Sequence, residues 1–67
     1  MTNKLKVLRA EHDLTQEDLA RRLGVTRQTV NAIEQGKYLP SLGLALKMGK
    51  LFGKLVEEIF LERNSDL

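Results

Sequence analysis

The chain has 67 residues, 42% hydrophobic and 30% charged, with a formal net charge of +2 and no cysteine. Such a length holds one small domain around one modest core, here expected to span 1–67, and the missing cysteine excludes disulfides and thiolate metal sites. No apolar run nears the ~20 residues of a membrane span, no signal peptide is visible, and the lone His12 has no partner at ligand spacing, so no metal, no cofactor and no membrane are expected and a cytoplasmic location is.

In chain order, Asn3 to about His12 reads as a first helix, with Thr2 or Asn3 able to cap it and Leu5 and Leu8 one turn apart on its inner face. Asp13 and Leu14 form a bend. The stretch Thr15 to Glu34, TQEDLARRLGVTRQTVNAIE, then reads as two short helices joined by a tight turn. Thr15 can cap the first of them with Asp18 in the capping-box position, and Thr26 can cap the second. Leu14 with Leu19, and Val25 with Val30, stand at hydrophobic-staple spacing. Gly24 sits where the chain must reverse, a position that favours positive φ. Leu19, Ala20 and Leu23, then Val30 and Ile33, form the inward faces.

Gly36 is the expected cap of the third helix, and Lys37 to Pro40 form a loop. Ser41 after Pro40 marks the start of a fourth helix over about Leu42 to Phe52, read with Leu42, Ala45, Leu46 and Phe52 as its inner face. Gly43 and Gly49 lie inside that helix, each costing about 1 kcal/mol relative to Ala. Lys47, Lys50 and Lys54 share one side of it, read as a solvated face. Gly53 ends it. A short fifth helix from about Val56 to Leu61 follows, with Ile59 and Phe60 completing the core, and 62–67 reads as a tail.

A helix, a glycine turn and a second helix describe a helix-turn-helix, whose second helix enters the DNA major groove. Arg27, Gln28, Thr29 and Asn31 occupy the outward face of that helix, and Arg, Gln and Asn match base edges bidentately, Arg to guanine and the amides to adenine. Thr29 is open between a thymine methyl and a phosphate. Thr26 and Lys37 are phosphate candidates, as are the helix start at Ser41 and the Tyr38 hydroxyl, although Tyr38 could equally cover the core. From Arg21 to Lys54 there are seven basic residues against one acid, whereas the end of the chain is acidic, which suggests one anion-facing surface.

LTQEDLARRLGVTRQTVNAIEQGKYLPSL resembles the Cro/C1-type helix-turn-helix family, also called the XRE family, and the likeness runs from about Leu5 to Phe60. It implies an all-α, compact five-helix bundle, the lambda-repressor-like DNA-binding domain. It also implies that Arg9 pairs with Glu34, or touches a phosphate, and that Gln16 meets a phosphate at the second helix start. The chain departs from the family pattern at Lys54 and Leu55, where an apolar residue and a capping Ser, Thr or Pro are more usual. The expected activity is sequence-specific binding of double-stranded DNA as a repressor. A homodimer is expected on a palindromic operator, joined through Val56, Phe60 and Leu61. The alternative is an antitoxin-like protein-binding module that also regulates its own operon. An enzyme has no support, since neither a nucleophile set nor a glycine-rich phosphate loop is visible.

Overall fold

A computed structural model describes residues 2–61. Five helices run in order: α1 (Leu5–Glu11), α2 (Gln16–Leu23), α3 (Arg27–Glu34), α4 (Leu42–Phe52) and α5 (Val56–Ile59). Two-residue strands flank them, β1 (Thr2–Asn3) and β2 (Phe60–Leu61), paired antiparallel with Thr2 opposite Leu61 and Asn3 opposite Phe60. The all-α class stands, with this small clasp added. The tail over 62–67 lies outside the described residues.

Local chemistry sets the boundaries. Thr15 and Asp18 form a full capping box: Asp18 N donates to Thr15 Oγ1 and Thr15 N to Asp18 Oδ2, both at 3.0 Å. Thr26 Oγ1 accepts from Thr29 N at 3.1 Å, and Ser41 Oγ from Leu44 N at 3.2 Å. Gly24 ends α2 at φ 75° and Gly53 ends α4 at φ 66°, the left-handed region where a Cβ is costly. α5 starts without a polar cap. Leu55 has no side-chain acceptor, so only the reciprocal half of a box forms, with Leu55 N donating to Glu58 Oε1 at 2.7 Å.

The core joins Leu5 and Leu8 of α1, Leu19, Ala20 and Leu23 of α2, Val30 and Ile33 of α3, Met48 and Phe52 of α4, and Ile59 of α5. Leu14, Val25 and Phe60 pack against it, half-buried. His12, exposed at the end of α1, lays its ring edge-on to Phe52 with centroids 5.0 Å apart.

Several expectations are corrected. The inner face of α4 is Ala45, Met48, Gly49 and Phe52, while Leu42 and Leu46 are 73% and 53% exposed. The observed set follows the i, i+3, i+4, i+7 stripe of one helix face. α4 is apolar on nearly every side, so its composition did not select the stripe. α1 begins at Leu5 because Asn3 is drawn into β1; its Oδ1 still meets the Leu5 N–H at 3.1 Å. α5 stops at Ile59, since Phe60 and Leu61 turn into β2 and Lys4 N donates to Ile59 O at 2.8 Å. Gly36 stands one residue past the Gln35 cap of α3 at φ 75°, with Lys37 N donating to Ala32 O at 2.9 Å.

Two further α4 residues act differently from their sequence reading. A Cβ on Gly49 would lie 2.7 Å from the Lys54 carbonyl oxygen, so glycine there admits the chain reversing into α5. Lys47 is not merely solvated: its Nζ donates to Leu23 O at 3.1 Å, placing a cation at the C-terminal end of α2.

Candidate nucleic-acid interface

α2 and α3 pack through their apolar faces, and the Gly24 turn sets the angle between them. Val30 and Ile33, at 0% and 1% exposure, hold α3 from behind. That leaves Arg27, Gln28 and Asn31 exposed and Thr29 half-buried on the opposite side. Arg27 and Gln28 are the first two residues of the helix, beside its unfilled N–H groups, where the helix end is partly positive. Thr26, Lys37, Tyr38 and Ser41 are all exposed around the same helix and the loop after it. Thr26 and Thr29 also join their hydroxyls at 2.9 Å. Tyr38 stands over a cleft of about 250 Å³ that it shares with Asn3, Ile33, Pro40 and Phe60.

A polar network ties this surface to α1. Arg9 Nε donates to Glu34 Oε2 at 2.7 Å, and Arg9 Nη1 donates to Leu14 O at 2.9 Å. The Glu34 side chain is 5% exposed and that of Arg9 16%, so the ion pair is largely removed from water. Gln16 joins from the start of α2, its Nε2 donating to Glu34 Oε1 and to Asn31 Oδ1, both at 3.1 Å. Gln35 Nε2 donates to the same Asn31 oxygen at 3.3 Å.

This network constrains the chemistry of Asn31. An ionised carboxylate only accepts, so Glu34 fixes the Gln16 amide with its NH2 turned inward. The Asn31 atom facing that NH2 must then be the oxygen. Asn31 therefore offers its Nδ2 hydrogens outward, whereas bidentate pairing with adenine needs both amide atoms. Both Gln16 amide hydrogens are likewise engaged, so donation to a phosphate would give one up.

Sequence reasoning named the Arg9–Glu34 pair but did not find the parts that Gln16 and Gln35 take in this network. Residues 15 and 18 positions apart meet only once the helices are packed. It also missed Asn3, whose Nδ2 donates to Ile33 O at 2.8 Å and closes the C-terminal end of α3. Among the described residues no cluster of His, Cys, Asp or Glu could hold a metal, and no helix is long and apolar enough to cross a membrane.

The comparisons agree with this geometry. A helix-turn-helix family model matches residues 5–59. An uncharacterised HTH-type transcriptional regulator of Methanocaldococcus jannaschii is 59% identical over 66 residues, covering 98% of this chain and all of that one. The transcriptional repressor RstR of the cryptic phage CTXphi of Vibrio cholerae is 32% identical over 98% of this chain, which spans 60% of RstR. The crystal structure of a hypothetical transcription factor from Neisseria superimposes with a TM-score of 0.76 at 27% identity, covering 94% of this chain and 71% of that one. The chain thus belongs to the Cro/C1-type helix-turn-helix family of DNA-binding transcriptional regulators.

Proposed function

We propose that the protein is a repressor that binds a palindromic operator as a homodimer. The observation that carries this reading is the first turn of α3, where Arg27 and Gln28 are exposed while Val30 and Ile33 anchor the helix from inside. Arg27 reads a guanine edge and Gln28 an adenine edge. Asn31, with its oxygen engaged, donates to a base-edge acceptor such as thymine O4 or guanine O6. Thr29 flanks them. Thr26, Lys37, Tyr38, Ser41 and the start of α2 at Gln16 line up the phosphates, and the Arg9–Glu34 pair keeps α1 and α3 in register. The repressor role takes support from the likeness to the phage repressor. The dimer follows from the few base edges that one small module can reach, with half-sites one helical turn apart.

Selection of bound duplexes from random DNA tests the reading. The expected result is a two-fold symmetric consensus, with affinity falling steeply as salt rises because counterions are released from the phosphates. Gln28→Ala should relax preference at one base pair per half-site by about 1–3 kcal/mol. Equal weakening on every sequence would make Gln28 a phosphate contact, and absence of any consensus would overturn the repressor reading.

A further inference from the structure

We propose that Glu34 and Gln16 are positioning residues for base recognition: they fix Asn31 as a donor, so that side chains which touch no base choose the base it reads. The proposal rests on the DNA-binding reading above and deepens it. An asparagine by itself is ambivalent. Its amide carries an acceptor and a donor at the two tips of one fork, and turning it over exchanges them. Left free in a groove, it pairs with adenine through both. Here its orientation is decided by a chain of contacts that begins on α1.

The strengths of those contacts give the chain a direction. Arg9 Nε donates to Glu34 Oε2 at 2.7 Å, and the Glu34 side chain is 5% exposed. Glu34 is therefore an acceptor and nothing else. Gln16 Nε2 donates to its other oxygen at 3.1 Å, in a charge-assisted and partly buried bond. The same nitrogen donates to Asn31 Oδ1 at 3.1 Å, at the surface. A bond between neutral groups is the weaker kind. Asn31 thus follows Gln16, and Gln16 follows Glu34. Turning Asn31 over would set its NH2 against the NH2 of Gln16, donor against donor. Gln35 Nε2 also donates to Asn31 Oδ1, at 3.3 Å, but Gln35 is exposed and free to turn its own amide, so it adapts to Asn31 and does not direct it.

The relay is compatible with docking. The start of α2 has unfilled backbone N–H groups for a phosphate, which leaves both Gln16 amide hydrogens on Glu34 and Asn31. Arg27 and Gln28 stand outside the network, so the effect is confined to one base pair in each half-site.

Selection of bound duplexes by the full chain and its variants tests the relay. Asn31→Ala marks the base pair concerned by erasing its preference. The wild type should favour thymine or guanine there, through O4 or O6. Gln16→Met frees the Asn31 amide, and adenine should gain at least about fivefold at that pair. Glu34→Gln is the sharper variant. Its oxygen stays on Arg9 and its NH2 faces Gln16, which turns over and takes Asn31 with it. Preference should then move to a donor, cytosine N4 or adenine N6. A merely structural role for Glu34 would weaken binding on every duplex alike and leave the consensus where it was. Gln35→Met should keep the wild-type preference. The proposal is overturned by an Asn31→Ala variant that retains the whole consensus, or by a folded Gln16→Met or Glu34→Gln that keeps the wild-type base at that pair. Either result leaves sequence-specific binding through Arg27 and Gln28 standing, whereas a wild type without any consensus removes the repressor reading itself. Side-chain amide hydrogen exchange in the free wild type gives a readout without DNA. The Gln16 NH2 should exchange at least about tenfold more slowly than that of exposed Gln28. Equal rates would overturn the relay whatever the DNA selection shows.

Discussion

Around α3 the polar side chains hold one another, and around α4 and α5 the large apolar ones lie open. Glu34 takes hydrogen bonds from both Arg9 and Gln16, and Gln16 in turn fixes Asn31. On the other side Leu42, Leu46 and Leu55 are more than half exposed. The first region is pre-set: its donors are oriented before any ligand arrives, which lowers the ordering cost of binding. The second is unset, with apolar area that only a further surface would remove from water. Damage to the first should therefore appear in stability, and damage to the second in association.

The sharpest test of that contrast is Glu34→Ala. It strands a guanidinium that is mostly out of water, and about 3 kcal/mol of stability should be lost. Thermal unfolding should shift by about 12 °C or more in a domain this small. An unchanged melting temperature would mean that the network does not hold α1 to α3. Next comes Gly49→Ala, which puts a methyl against the Lys54 carbonyl and should cost roughly 1–3 kcal/mol in urea unfolding. Equal or greater stability would show that the turn into α5 gives way freely. Lys47→Met removes the cation from the end of α2 while keeping an apolar stem, and a loss of about 0.5–1 kcal/mol is expected. No loss in the denaturation midpoint would return Lys47 to the solvated face first read from the sequence.

The smallest effect is one of pH. The hydrogen bonds from the Thr15 backbone and side chain hold the Asp18 carboxyl below its ordinary 3.8, with Arg21 and Arg22 adding to the shift. A lowered folded-state value means that the stabilisation is complete above the unfolded value and fades as pH falls through the folded one. The stability gap between wild type and Asp18→Asn should be constant near neutrality and shrink below about pH 4. A gap that persists in acid would assign the cap to geometry rather than charge.

What was legible in the sequence was local. Thr15, Thr26 and Ser41 cap helices because a hydroxyl reaches an N–H three residues on, and Gly24 and Gly53 reverse the chain because they lack a Cβ. The inward faces of α2 and α3 were legible too, since each alternates polar and apolar residues at helical period. α4 was not: with leucines on several sides, its phase is decided by what packs against it, and Met48 rather than Leu46 turned inward. Nor could spacing reveal that Gln16 would bind Asn31, that Lys47 would reach Leu23, or that Asn3 would close α3. Those contacts exist only between elements. The exposure of Arg27 and Gln28 is now a matter of geometry, and what they read is a matter for DNA.

The pairing of Thr2 with Leu61 has a practical consequence for handling the protein. Residues 2 and 61 lie side by side, and Asn3 places that corner against the carbonyl of Ile33. Arg27 lies six residues earlier in α3, about 9 Å up the helix axis. A fluorophore placed at residue 2 therefore sits near the far end of the reading helix, away from its first turn.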